Sequence, residues 1–381
     1  MMLNTEYFYN KLMEIGVGFF TGVPDSLLKD FCAYITNNAQ RKNENNHIIA
    51  VNEGAAVALA AGFHLATGKI PFVYMQNSGI GNAVNPLLSL ADGDVYKIPM
   101  LLLIGWRGEP GVHDEPQHIK QGKITCSLFD AMGIPYLILS ENEEEVNNQL
   151  QDCYAHITEH NTPYALVVRK DTFAPYVFSS ESSTDEPQMT RESAIEEILL
   201  SSSQNEMFIS TTGMASRELF ELRKKNKMGH ERDFLTVGSM GHASSLALSI
   251  ALQKPACPIT CIDGDGAALM HLGALAAIGE RKPANLRHIV LNNRAHDSVG
   301  GQPTIAGKID LCGIARSCGY KRIHSVKTKD ELRIALSETE KPVFIEVNVR
   351  KGNRKDLGRP DKTPIENKKA FMNCINKTEQ I

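Results

Sequence analysis

One carboxylate, Asp265, stands between two glycines in CIDGDGAALMHLGALAAIGE (residues 261–280). There a short β-branched run, PITCI, meets an apolar stretch rich in helix formers, Ala267 to Ile278. Gly264 and Gly266 let a ligand approach the backbone closely. A helix beginning near Ala267 would offer free N–H groups and a partial positive charge to an anion. A carboxylate there repels that anion unless a cation lies between them. The stretch therefore predicts a phosphate together with a divalent metal such as Mg2+. The next apolar run, RHIVL, ends at Asn292-Asn293. Two neighbouring strands would then offer a carboxylate and an amide oxygen on one rim, at the carboxyl ends where open α/β sheets collect ligands. Asp265, Asn293 and a nearby backbone carbonyl suit octahedral oxygen ligation.

The elements that must carry these groups alternate. GVGFF, HIIAV, PFVYM, MLLLIG, PYLIL and YALVV read as strands in the first half, with helical patterns such as SLLKDFCAYITNN and EGAAVALAAGFHLATG between them. EMFIS, DFLTV, PITCI, RHIVL, KRIHSV and VFIEV repeat the alternation in the second half. Such a series predicts α/β architecture with parallel sheets built from βαβ units. Ser179–Gln188 is polar, serine-rich and without period, and reads as a linker. The expected organisation is a domain over 1–178, a linker over 179–188, a second domain over 189–365 and a C-terminal tail over 366–381, the basic chain from Lys351 lying on the surface.

Composition narrows the function. Of 381 residues 42% are hydrophobic and 22% charged, with a net charge of −4 and no basic stripe, which speaks against nucleic acid as partner. The longest apolar run, near PMLLLIG, is too short to span a bilayer. The N-terminus carries an early acid and no apolar signal core. Eight cysteines without a CxxC pair read as reduced, buried thiols, so a cytoplasmic setting is expected.

IDGDGAAL matches the DxDG opening of haloacid-dehalogenase-type phosphatases, which would make Asp263 a nucleophile and Asp265 an acid/base. That arrangement expects the motif on the first strand of its fold, whereas a full α/β series precedes it here. GDG followed by NN resembles the diphosphate and magnesium motif of thiamine diphosphate-dependent enzymes. The resemblance implies Mg2+ ligation by Asp265, Asn293 and the Ala295 carbonyl, and diphosphate contacts around Gly264, Gly266 and Ala267. Glu53, in HIIAVNEGAAVALAAGFHLATG, follows a strand and opens a helix; by itself it is a favourable dipole partner. By the resemblance it is the glutamate that hydrogen-bonds the aminopyrimidine and activates the cofactor. TVGSMGHASSLALSIA resembles the segment that keeps the cofactor bent, with the Gly238 carbonyl accepting from the 4′-amino group and Met240 as the apolar wedge. Gly213 and Asn82 fall in further cofactor-facing motifs, STTGMASRELFE and SGIGN.

The ordered motifs FTGVPDSLLKDF, QNSGIGNAVNPLLSL, GWRGEPGVHDEPQH, STTGMASRELFE, NNRAHDSVGGQPT and DLGRP…PIENK…FM run from about residue 19 to 372. With those above, they resemble the compact two-domain thiamine diphosphate-dependent 2-oxo acid decarboxylases. The resemblance implies two doubly wound parallel-sheet domains, pyrimidine-binding then diphosphate-binding, with no middle domain and no flavin. It also implies at least a homodimer, with the active site at the subunit interface. The implied substrate is 3-phosphonopyruvate, decarboxylated to phosphonoacetaldehyde and CO2 in phosphonate biosynthesis. Sulfopyruvate is the alternative, although in its enzymes the two domains usually sit on separate chains.

Acids for the proton steps are expected on loops of the first domain: Asp25, which serves equally as a helix cap near Leu27, and His113, Gln117 and His118. Partners for the phosphonate are drawn from Ser78, Arg107, Arg217, Arg294 and His296, since planar cations and N–H donors suit such anions. Arg294 departs from the pattern, standing where a small residue is expected.

Overall fold

All twelve runs read as strands form strands in the computed structural model, which describes residues 2–42, 45–178 and 187–377. The first six are β1 (Val17–Gly22), β2 (His47–Ile49), β3 (Ile70–Gln76), β4 (Leu101–Gly105), β5 (Tyr136–Ile138) and β6 (Tyr164–Val168). They pair in parallel in the order β2-β1-β3-β4-β6-β5. β7 (Met207–Ser210), β8 (Asp233–Leu235), β9 (Ile259–Gly264), β10 (Leu286–Asn292), β11 (Arg322–Val326) and β12 (Val343–Asn348) make a second parallel sheet, ordered β11-β12-β10-β9-β7-β8. The fold is α/β. The chain divides into two compact units, Met1–Ser182 with Val299–Gln302, and Ser183–Ser298 with Pro303–Ile381.

The strands are near-continuous apolar runs because both faces of each sheet are covered by helices. In the first unit Phe20, Phe72, Tyr74, Leu101 and Leu103 face one side, with Phe8 and Phe31. Their neighbours Val73, Met75, Leu102 and Ile104 face the other, with Ala56, Ala60 and Ala61 of the helix Glu53–Thr67. Small side chains let that helix lie close to the sheet, which fixes where its first residue, Glu53, emerges.

Three expectations change. The stretch Ala267 to Ile278 is not one helix: it divides into Asp265–Met270 and Ala274–Arg281, parting at His271 (φ −130°, ψ 53°), whose ring packs 4.3 Å from that of His242. The helix expected near Leu27 starts at Lys29, after a turn over 26–28 in which the Leu27 amide is held by the Asp25 carboxylate. The tail expected from 366 is, as far as Lys377, part of the helix Pro364–Lys377, with Asn367, Phe371 and Ile375 buried. Asn367 accepts from Leu235 N (3.1 Å) and donates to Asp233 O (2.7 Å), closing the open edge of β8. Of the stretch read as a linker, 179–186 lies outside the described residues.

Candidate active site

In the first unit the candidate residues gather past the carboxyl ends of β2, β1, β3 and β4, which are neighbours in the sheet. Asn52 caps the helix Glu53–Thr67, its side chain accepting from Ala55 N at 2.8 Å. Glu53 is thereby held at the helix start, 5% exposed. Its Oε2 accepts from Asn82 Nδ2 at 2.8 Å. Burial raises its pKa, and the Asn82 bond opposes that rise. Gly79 leaves the space the carboxyl fills, since a Cβ there would lie 2.6 Å from Glu53 Cγ and Cδ.

Asp25, fully buried after β1, accepts from Gln76 Nε2 (2.5 Å) and Leu27 N (2.9 Å). It is thus both a local turn cap and part of the site's network. Burial raises its pKa against those two bonds. Ser78 Oγ donates to Gln76 Oε1 at 2.6 Å, extending the chain toward Gly79.

Arg107, after β4, turns its guanidinium inward. Nε and Nη2 meet Asp114 (2.8 and 2.5 Å), and Nη1 donates to Ser26 Oγ (2.7 Å). Asp114 also accepts from Gly108 N and Glu115 N and lies 2.9 Å from His118 Nδ1. Despite burial, Arg107 and His118 hold its carboxyl well below the usual carboxylate range. Because a carboxylate only accepts, neutral His118 carries its proton on Nδ1 and leaves Nε2 as the free lone pair. Burial lowers the His118 pKa, with Asp114 opposing. Gln117 has a buried, unpartnered Oε1, whereas His113 is exposed.

In the second unit the candidates follow β10, β9, β7 and β8, again adjacent strands. Asp265, 3% exposed, accepts from Thr304 Oγ1 at 2.5 Å. Burial pushes its carboxyl up to about 6, against the Thr304 bond. Among the described residues no Lys or Arg pairs with it. Asn293, 6% exposed, donates from Nδ2 to Asp297 Oδ2 (2.6 Å) and accepts at Oδ1 from Ala295 N (3.0 Å). Ala295 and Ala267 are buried beside them. Gly266 is flanked by Met240 and His296: a Cβ there would lie 3.4 Å from Met240 Cε and 3.1 Å from His296 Cε1. Gly264 faces Thr211. Gly213 starts the helix Met214–Lys225 at φ 92°, ψ −138°, a conformation that only glycine adopts cheaply. Gly238 lies on the loop after β8, next to Ser239 in the left-handed region.

Of the anion-binding candidates in this unit, Arg217 in the first turn of Met214–Lys225 is half-buried and unpartnered among the described residues; burial lowers its pKa. His296 is pushed down to about 4 by burial, so its ring is neutral. Arg294 lies along Gly307 and reaches Asn348 Oδ1 at 3.4 Å; its own backbone is left-handed at φ 59°. Its length is thus spent on packing.

Asp263 overturns the phosphatase reading. It is fully buried inside the sheet, accepts from Gly264 N, and faces His288 Nε2 at 3.5 Å beside Cys261. A nucleophile must meet substrate, and this one is sealed in the core.

Four residues that sequence reasoning passed over hold these groups in place: Gln76, Asp114, Asp297 and Thr304. Asp114 was within reach, one position after His113 in a charged loop, and so was Asp297, four positions after Asn293; Gln76 meets Asp25 from 51 positions away and Thr304 meets Asp265 from 39, separations that no local pattern marks.

The donor set fits a diphosphate cofactor with a divalent cation. Asp265 is a buried carboxylate that meets no Lys or Arg among the described residues, next to helix-start N–H groups and to Gly264, where a Cβ would meet only Thr211 at 4.0 Å. Glu53 is a buried carboxyl able to hold a proton. Comparison with known families bears on the cofactor alone: residues 2–130 match the thiamine pyrophosphate enzyme N-terminal TPP binding domain and residues 211–347 the C-terminal TPP binding domain. The chain belongs to the thiamine pyrophosphate (thiamine diphosphate) enzymes. Within them it is a thiamine diphosphate-dependent decarboxylase, a carboxy-lyase homologous to phosphonopyruvate decarboxylase. It is 34% identical over 380 residues to the phosphonopyruvate decarboxylase of Streptomyces viridochromogenes, covering 94% of this chain and 92% of that protein. The sulfopyruvate decarboxylase of Methanosarcina acetivorans is 29% identical over 392 residues, covering 96% of each. The sulfopyruvate decarboxylase subunit beta of Methanococcus maripaludis is 32% identical over 193 residues, 50% of this chain and 100% of that subunit. Since the Methanosarcina relative spans both units, having both on one chain does not separate the two substrates.

Proposed function

We propose that this decarboxylase acts on 3-phosphonopyruvate, releasing CO2 and phosphonoacetaldehyde with thiamine diphosphate and Mg2+. The observation that carries the reading is the 34% identity to a phosphonopyruvate decarboxylase over nearly the full length of both chains. When bound, the cofactor supplies a nucleophilic carbon and an electron sink for the bond to the departing carboxylate.

The chain's own residues do the rest. Glu53, buried and bonded by Asn82, would hold the aminopyrimidine and exchange a proton with it. Asp265, Asn293 and the Ala295 carbonyl would hold Mg2+, with Gly264, Gly266 and Ala267 around the diphosphate. Met240 and Gly238 would hold the cofactor's bend. Asp25, held by Gln76, which Ser78 orients in turn, would keep a proton for the reacting carbon, and His118 would offer Nε2 as a second station. Arg217, which has no counter-ion among the described residues, is the phosphonate partner in this reading, because Arg107 already spends its guanidinium on Asp114 and Ser26. The first unit serves as pyrimidine-binding domain and the second as diphosphate-binding domain of a cytoplasmic homodimer or higher homo-oligomer. Irreversible loss of CO2 would draw an unfavourable earlier step of phosphonate biosynthesis forward.

31P NMR of phosphonopyruvate incubated with the protein tests this. The phosphonoacetaldehyde resonance should appear only with both thiamine diphosphate and Mg2+, and its absence under all conditions would remove the substrate. Sulfopyruvate is the second reading, favoured by the full-length Methanosarcina relative.

A further inference from the structure

The amide of Asn293 is not free to turn. Its Nδ2 donates to Asp297 Oδ2 at 2.6 Å, while its Oδ1 accepts from Ala295 N at 3.0 Å. Asp297 Oδ2 is itself anchored by Arg191 Nη1 (3.0 Å) and Gly352 N (3.0 Å). Arg191 is gripped in turn by Glu218, Nε to Oε2 at 2.7 Å and Nη2 to Oε1 at 3.1 Å. The side chains of Arg191, Glu218 and Asp297 are 8%, 2% and 9% exposed. Three ions with little water, one cation between two anions, are costly to bury unless their geometry is good and their bonds complete. Here they tie together the start of the helix Arg191–Leu200, the helix Met214–Lys225, the turn after β10 and the segment after β12.

The two ends of an amide are nearly equal in shape but opposite in function: an oxygen that accepts and an NH2 that donates. A carboxylate can face only the NH2. Asp297 holds the NH2 end while Ala295 N meets the oxygen, so the oxygen points away from Asp297 and keeps a second lone pair, which a hard cation needs. We propose that Asp297, clamped by Arg191 and Glu218, is a positioning residue that locks the Asn293 amide with its oxygen toward the metal and so sets divalent-cation affinity. The inference rests on the reading of Asn293 and Asp265 as metal ligands.

The test is Mn2+ binding in the presence of thiamine diphosphate, followed by the EPR signal of free Mn2+. Asp297→Ala should weaken Mn2+ about 10- to 100-fold, the usual cost of losing an orienting partner behind a ligand. Asp297→Asn, which keeps an acceptor but not the charge, should fall between it and wild type. In the Asn293→Ala background Asp297→Ala should change affinity little, because no amide remains to orient. Equal losses in both backgrounds would make Asp297 merely structural and overturn the proposal, as would wild-type affinity in Asp297→Ala. Asp265→Asn separates the two claims: if it binds Mn2+ like wild type, the metal reading itself fails. If it loses binding while Asp297→Ala keeps it, only the positioning role fails.

Discussion

A carboxyl surrounded by protein rather than water keeps its proton to higher pH, and a donor aimed at its ionised form partly restores the balance. Glu53 has one such donor, Asn82. Asn82→Ala removes the bond that lowers the Glu53 pKa, so that pKa should climb. The limb of the kcat/KM profile belonging to Glu53 should move to higher pH; an unmoved limb would contradict the assignment. Glu53→Gln, which keeps the shape but not the titration, should cost about 100-fold or more in kcat. Arg217 is a second case at this scale. Charge-assisted hydrogen bonds are worth about 1.5–3 kcal/mol, so Arg217→Ala should raise KM for phosphonopyruvate about 10- to 100-fold and leave KM for pyruvate nearly unchanged. A similar rise for both would deny it the phosphonate. Glu53, Asp265 and Asn293 stand out as candidates in the sequence because each sits at a strand end inside a short motif. Thr304 reaches Asp265 from 39 positions away and Arg191 reaches Asp297 from 106, and no local spacing encodes such meetings.

Elements were legible where hydrophobic runs are long and bounded, and less so where a side chain ends a helix. The twelve strands were readable as apolar runs, because both faces of each sheet are covered. The parting at His271 had one signal in the sequence, Gly273, a poor helix former that caps the second helix within a stretch otherwise rich in helix formers; the His271 ring packs against His242 there. The Ala-rich helix Glu53–Thr67 and the turn Asn77–Gly79 show how tightly elements define the site. Gly79→Ala needs no unusual backbone, yet its Cβ would lie 2.6 Å from Glu53 Cγ and Cδ. The variant should fold with a circular dichroism spectrum like wild type and lose kcat to within about tenfold of Glu53→Gln, on the same general acid–base scale. Retained activity would show that the carboxyl is not confined as described.

At the scale of the whole molecule, two parallel sheets each bring four adjacent strand ends to one rim, one rim carrying Glu53 and the other Asp265. The folded state also carries a pH signature outside the site. His47 is pushed down to about 4 from 6.5 by burial, with Tyr74 Oη 2.9 Å from its Nε2. Between those values the unfolded chain binds a proton that the folded chain refuses. Its contribution to stability is therefore complete above about pH 6.5, falls as pH is lowered and is lost toward pH 4. Urea midpoints across that window should fall less steeply for His47→Gln than for wild type, and parallel slopes would refute the burial argument.

The central claim is tested most directly by kcat/KM for CO2 release from phosphonopyruvate, sulfopyruvate and pyruvate, with thiamine diphosphate and Mg2+ present or withheld. The account predicts strong release that needs both additions, with phosphonopyruvate preferred over the other two. Preference for sulfopyruvate would move the chain to the other substrate, and cofactor-independent release would contradict the account.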